Sequence, residues 1–88
     1  MIVYVLATCL PGHEKETIMR IKKLLHVKEV NGIMGRFDIF VKVAAQDDRD
    51  VFLAIAKMRD ISSITSTFTF SAISGQGGTV DNENQQQK

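Results

Sequence analysis

Apolar positions recur along this chain with two different periods, and the switches between them mark six elements. Residues 2–10, "IVYVLATCL", are apolar and rich in β-branched types, which reads as a strand. Pro11-Gly12 then forms a turn and places His13 or Glu14 at the start of a helix. Ile18, Ile21, Leu24 and Leu25 follow at helical spacing, with Glu14, Glu16, Arg20, Lys22 and Lys23 mostly on the other side. Glu16 and Arg20 make a favourable i,i+4 pair. Val27 to Met34 predicts a second, weaker strand and Phe37 to Val43 a third. In "AQDD", Asp47 or Asp48 caps a second helix that buries Val51, Phe52, Ile55 and Met58. The last strand, "ITSTFTFSAI", opens after Ile61 or Ser63.

The resulting order, βαββαβ, predicts a ferredoxin-like α+β fold with the first and third strands central and both helices on one face. In the third strand Phe37, Ile39, Val41 and Val43 share the face that meets the helices, while Asp38, Phe40 and Lys42 share the other. The first strand is apolar on both sides: Val3, Val5, Ala7 and Cys9 alternate with Ile2, Tyr4, Leu6 and Leu10. In the last strand Ile64, Phe68 and Phe70 alternate with Thr65, Thr67, Thr69 and Ser71. A sheet with one wet face alternates cleanly between apolar and polar residues. This one does not, so its second face is expected to be covered. A second copy, packed sheet to sheet as a dimeric α+β barrel, is the natural cover.

Composition changes after Ile73. "SGQGGTVDNENQQQK" has too few apolar residues to offset its ordering entropy, so residues 1–73 are the expected folded domain and 74–88 a disordered polar tail. A domain of this size buries only about 60% of the surface its unfolded chain exposes, which again favours oligomerisation. The single Cys9 excludes an internal disulfide and fits a reducing compartment. The apolar N-terminal run stops at Pro11-Gly12 and has no basic flank, too short for a membrane span and the wrong shape for a signal peptide. The expectation is a cytoplasmic protein without membrane contact. A formal net charge of +1 gives no footprint for nucleic acid.

Candidate chemistry is sparse. His13, His26 and Cys9 show no metal-ligand spacing, and no cofactor motif is present. Cys9 stands in an apolar run that raises its pKa and makes it a poor nucleophile. The acids of "QDDRD" suit a helix cap and first turn. RNA-recognition motifs share the βαββαβ order, but of their third-strand pattern only Arg36, Phe40 and Val41 match "RFDIFVKV". Asp38 would also place an anion where a base stacks.

The hairpin "GIMGRFDIFV" is the informative stretch. Gly35 supplies the positive φ of a turn. Asp38 falls on the sheet face that is expected to be covered, so its carboxylate requires a partner there. Gly35-Arg36-Phe37-Asp38, followed by an apolar strand, a helix and then Thr67-Phe68-Thr69, resembles the effector-binding (RAM) domain of the Lrp/AsnC transcriptional regulators. That pattern has a Gly-x-(Tyr/Phe)-Asp hairpin and a Thr-x-Thr pair, and the likeness spans residues 1–73, the "PGHE" turn included.

The resemblance implies a non-catalytic module that dimerises through its sheet faces, with tetramers and octamers as further assemblies. It also implies an amino acid or related small molecule as effector. The ligand carboxylate would be held at backbone groups of Gly35 and Arg36, with the Arg36 side chain as a second anchor. Asp38 would accept from the ammonium, with Phe37, Thr67 and Thr69 nearby. Full regulators carry a helix-turn-helix domain and this chain opens on the first strand, so the likeness is to stand-alone RAM proteins, found especially in archaea. No direct DNA contact follows, whereas full-length regulators follow as partners. The rival readings are a small dimeric α+β-barrel enzyme, monooxygenase- or isomerase-like, and a ligand-free oligomerisation adaptor.

Overall fold

The computed structural model describes residues 1–78, so most of the expected polar tail lies outside the described residues. Strand β1, Ile2–Cys9, alternates half-buried and buried positions along its whole length. Gly12, at φ 87°, turns the chain after Pro11, and α1 runs from Glu14 to Lys22. His13 is its N-cap residue, and the Thr17 hydroxyl donates back to the His13 carbonyl at 2.7 Å. Glu16 and Arg20 pair at 3.2 Å, as their spacing predicts.

The helix ends earlier than its apolar spacing predicts. Residues 23–26 form a turn beyond Lys22, and His26, left-handed at φ 72°, aims the chain into β2, Val27–Gly32. The His26 carbonyl is then fixed by the Ala44 N–H at 3.0 Å. As a result Leu24 packs against the core while Leu25 is 76% exposed.

Strand β3, Ile39–Ala44, leads to α2, Asp48–Arg59, and the last strand β4 is Ile64–Ser71. Asp47 caps α2 by accepting the Arg49 N–H at 2.9 Å. Val51, Ala54, Ile55 and Met58 form the buried stripe of that helix. Phe52 was expected in this stripe but is exposed, because one step along a helix turns about 100° and carries it past the edge of the sheet-facing side.

The sheet order is β2-β3-β1-β4, and every neighbouring pair is antiparallel. This is the ferredoxin-like α+β architecture, with β1 and β3 central. Val3, Val5 and Ala7 of β1 pair with Val43, Val41 and Ile39 of β3, and all six point into the core with Ile21 and the α2 stripe. Two buried polar side chains interrupt this core among the described residues, Thr17 and Ser63, and they bond each other at 2.6 Å. Each thereby offsets the other's desolvation.

The opposite face carries Ile2, Tyr4 and Leu6 of β1, Phe40 and Lys42 of β3, and Phe68 and Phe70 of β4. No helix of the described residues crosses it. The Tyr4 and Phe40 rings stack at 5.7 Å, and Phe68 and Phe70 are each 51% exposed.

Alternation along β4 fails at one point. Thr8 pairs with Ser66 but Cys9 pairs with Ile64, so Thr65 is an extra residue and β4 carries a bulge there. One extra residue reverses the phase of every residue beyond it. Ile64 therefore packs on the core while Phe68 and Phe70 lie on the open face, although simple alternation groups all three. The Thr8 hydroxyl sits within hydrogen-bonding distance of both Thr65 Oγ1, 2.6 Å, and Ser66 Oγ, 2.5 Å, so the bulge turns two hydroxyls toward the same partner.

Candidate functional site

The β2–β3 hairpin closes where the Ile33 N–H donates to the Asp38 carbonyl at 2.9 Å. Inside it Gly35 has φ 141°, and a side chain there would meet no atom within 4 Å. Glycine is thus required at this position by backbone conformation and not by crowding. Met34 and Arg36 are exposed at the tip, and Arg36 makes no ion pair among the described residues.

Phe37 does not join the helix side of β3. Its ring meets Phe68 edge-on at 5.4 Å and so belongs with the open face. The regular strand begins two residues later, at Ile39, so the alternation that orders Val41 and Val43 does not bind Phe37.

Asp38 has its partner within the chain. Its N–H donates to the Ala7 carbonyl, and its carboxylate accepts the Cys9 N–H, both at 2.9 Å. Ala7 and Cys9 are two apart on β1, so their backbone groups point toward the same neighbour. Where β3 departs into the hairpin, the Asp38 side chain continues the ladder and satisfies a donor that would otherwise be orphaned. The second carboxylate oxygen receives no hydrogen bond among the described residues.

Thr67 and Thr69 pair with Ala7 and Val5, both core residues, which places the two threonines on the helix side of β4. They do not line the open-face layer with Phe68 and Phe70. Within one chain Asp38 and Thr67 flank Ala7 from opposite sides, about two strand spacings or roughly 10 Å apart in backbone position. The structure thus brings Gly35, Phe37 and Asp38 to one corner of the sheet and leaves Thr67 and Thr69 across β1 from them.

The Cys9 thiol lies near the same corner. Burial pushes its pKa up, and the nearby Asp38 and Glu14 carboxylates push in the same direction. The thiol stays protonated and is a weak nucleophile, as its apolar strand predicts. His13 contacts Glu16 at 3.9 Å and His26 contacts Asp50 at 3.8 Å, at separate places. Among the described residues no group of three or more His, Cys, Asp or Glu is arranged to hold a metal ion. No helix of the described residues is long and apolar enough to cross a membrane. A cavity of about 320 Å³ at the far end of the sheet is lined by Tyr4, Ser71 and Ile73 among others, but by none of the hairpin residues. Two features have no sign in the residue pattern. These are the role of the Cys9 N–H as partner to Asp38, and the Thr8–Thr65–Ser66 hydroxyl group at the bulge.

No protein-family model matches the chain, and no curated protein matches it. Solved structures do. The protein described as FFRP-DM1 is 29% identical, with a TM-score of 0.76 over 82% of this chain and 97% of that one. AsnC of E. coli is 19% identical with a TM-score of 0.76, matching 88% of this chain and 53% of its own. The transcriptional regulator NMB0573 of Neisseria meningitidis, solved in complex with L-Met, is 9% identical with a TM-score of 0.72 over 88% of this chain and 52% of that one. This chain therefore spans about half the length of the two longer proteins. It shares with all three the ferredoxin-like α+β fold.

Proposed function

We propose that this chain is a non-catalytic, Lrp/AsnC-like effector-binding module of the RAM type, acting in transcriptional regulation as a homodimer or larger assembly. One observation carries the reading. The Phe37–Phe68 contact ties the Gly35–Asp38 hairpin to the rim of the apolar sheet face that neither α1 nor α2 covers. A second copy seated on that face buries Ile2, Tyr4, Leu6, Phe40, Phe68 and Phe70 and brings the hairpin to a subunit boundary. The hairpin then presents backbone groups at Gly35 and Arg36, the Arg36 guanidinium, and the remaining oxygen of an Asp38 already held rigid by Cys9. Donors at one end and an anion at the other suit a zwitterion.

The likeness in fold to AsnC and to a regulator complexed with L-Met supports an amino acid as effector. Thr67 and Thr69 contribute on this reading from a different copy than Asp38, because within one chain they lie across β1 from it. Full-length regulators of the same type are the further partners.

The test has two parts. Light scattering at micromolar concentration is expected to give a dimer or larger; a monomer would remove the face-to-face packing. A thermal-shift screen of the twenty L-amino acids is expected to give a concentration-dependent rise in Tm for one or a few. Binding at a hundred times Kd stabilises by about 2.7 kcal/mol. No rise with any amino acid at millimolar concentration would reject the effector assignment.

A further inference from the structure

The bulge on β4 lies beside a second feature, a groove of about 360 Å³ lined by Arg59, Ile64, Thr65, Ser66 and Thr67. Its walls are the last turn of α2 and the free edge of β4, which is the outermost strand on its side of the sheet. The chemistry of this lining is one-sided. Among its lining residues Arg59 alone is charged and none carries a carboxylate; the Thr65 and Ser66 hydroxyls are turned toward Thr8, and that of Thr67 lies on the helix side. Arg59 makes no ion pair with any described residue.

The strand edge adds a donor. The Ala72 N–H donates to the Ile2 carbonyl, which fixes the even-numbered residues of this part of β4 as those facing β1. Alternation then turns the backbone N–H of Thr67 away from the sheet, toward the open edge. Bulges recur beside functional sites because they re-aim side chains, and here the reversed phase puts Thr67 on the helix side, where the last turn of α2 lies.

We infer that the groove between the C-terminal turn of α2 and the bulged edge of β4 binds a small carboxylate. Arg59 is its charge-bearing anchor, and the Thr67 N–H and the Thr67 hydroxyl are further donors. Guanidinium and carboxylate match as a planar, charge-assisted pair. The choice of an amino-acid carboxylate as the natural occupant rests on the effector reading above; the groove itself does not. It gives that reading a second anchoring point, away from the hairpin and on the side of Thr67.

The experiment is a 1H–15N NMR titration of the whole chain with sodium acetate at constant ionic strength, followed through the Arg59 side-chain Nε–H and the amides of Thr65–Thr67. Sodium phosphate serves as a second probe. Saturable shifts with acetate, at least tenfold weaker in Arg59→Gln and partly restored in Arg59→Lys, are expected. No saturable shift with acetate, or an unchanged affinity in Arg59→Gln, would overturn the site. Phosphate binding as tightly as acetate would overturn its assignment to carboxylates. The two readings fail separately. Should an amino acid raise Tm equally in wild type and Arg59→Gln, the effector reading stands and Arg59 has no part in it. Acetate seated in the groove with no amino acid raising Tm would keep the groove and reject the effector.

Discussion

The two faces of this sheet are built from similar residues and have opposite surroundings. On the helix side Val3, Val5, Ala7, Ile39, Val41 and Val43 are almost wholly removed from water by Ile21, Val51, Ile55 and Met58. On the other side Ile2, Tyr4, Leu6, Phe40, Phe68 and Phe70 present an apolar surface that neither α1 nor α2 covers, with the segment after β4 reaching it only at the Ile2–Tyr4 end. The first face supplies the core of the fold, whereas the second is the one the proposed dimer would bury. Apolar character alone does not separate the two roles. What separates them is which face the two crossover helices occupy, and in this topology both occupy the same one.

Adjacent residues of β1 give the sharpest way to break this comparison. Val5 is fully buried and Leu6, its neighbour, faces the open side. Val5→Asp places a carboxylate without a partner in the core, at a cost of several kcal/mol in a domain whose whole stability is of order 5–15 kcal/mol. The expected result is loss of the cooperative unfolding transition in circular dichroism. Leu6→Asp is expected to keep the far-ultraviolet spectrum and to weaken self-association by at least a hundredfold on dilution, read by light scattering. If Leu6→Asp left the oligomer intact, the open face would not be the interface.

Much of this arrangement was legible in the residues. Elements, order and fold class follow from periods of two and 3.6 and from Pro11-Gly12 and the Asp47 cap. The errors have local causes. Leu25 falls off the stripe because α1 stops at Lys22 with no glycine to announce it, and the left-handed residue that redirects the chain into β2 is His26. Phe52 lies one step off the stripe begun by Val51. Phe37 stands outside the ladder that enforces alternation. At Thr65 a single bulge inverts the phase, so Thr67 and Thr69 are found on the helix side. Asp38 is the most instructive case. Its need for a partner was visible, but the partner is the backbone N–H of Cys9, which no side-chain pattern encodes.

Asp38 also joins the two faces, since it terminates the β1–β3 ladder that both share. Asp38→Ala leaves the Cys9 N–H without an acceptor, an expected loss of about 1–3 kcal/mol in urea unfolding. The fold should survive, with Val5 and its neighbours still packed. The same variant is expected to lose any amino-acid-induced rise in Tm. Retention of the full ligand response alongside the stability loss would make Asp38 a strand cap and nothing more.

The smallest expected effect lies away from both faces, at Asp47, and it calibrates the others. The backbone N–H of Arg49 and then its guanidinium hold the Asp47 carboxyl below the usual aspartate range. A carboxyl whose pKa is depressed by folding adds stability that is fully present above its unfolded pKa and lost as pH falls through the folded value. Asp47 is well exposed, so water and salt screen this contribution. Asp47→Ala should therefore lower Tm slightly at neutral pH, and the gap to wild type should close once the solution is more acidic than the usual aspartate range. Asp38 differs because its hydrogen bond is part-buried and completes a strand ladder. Its substitution should cost more stability than that of Asp47 at neutral pH. Equal losses for the two would mean that the corner of the sheet at Cys9 is as wet as a helix cap, and that the open face begins closer to the hairpin than its burial indicates.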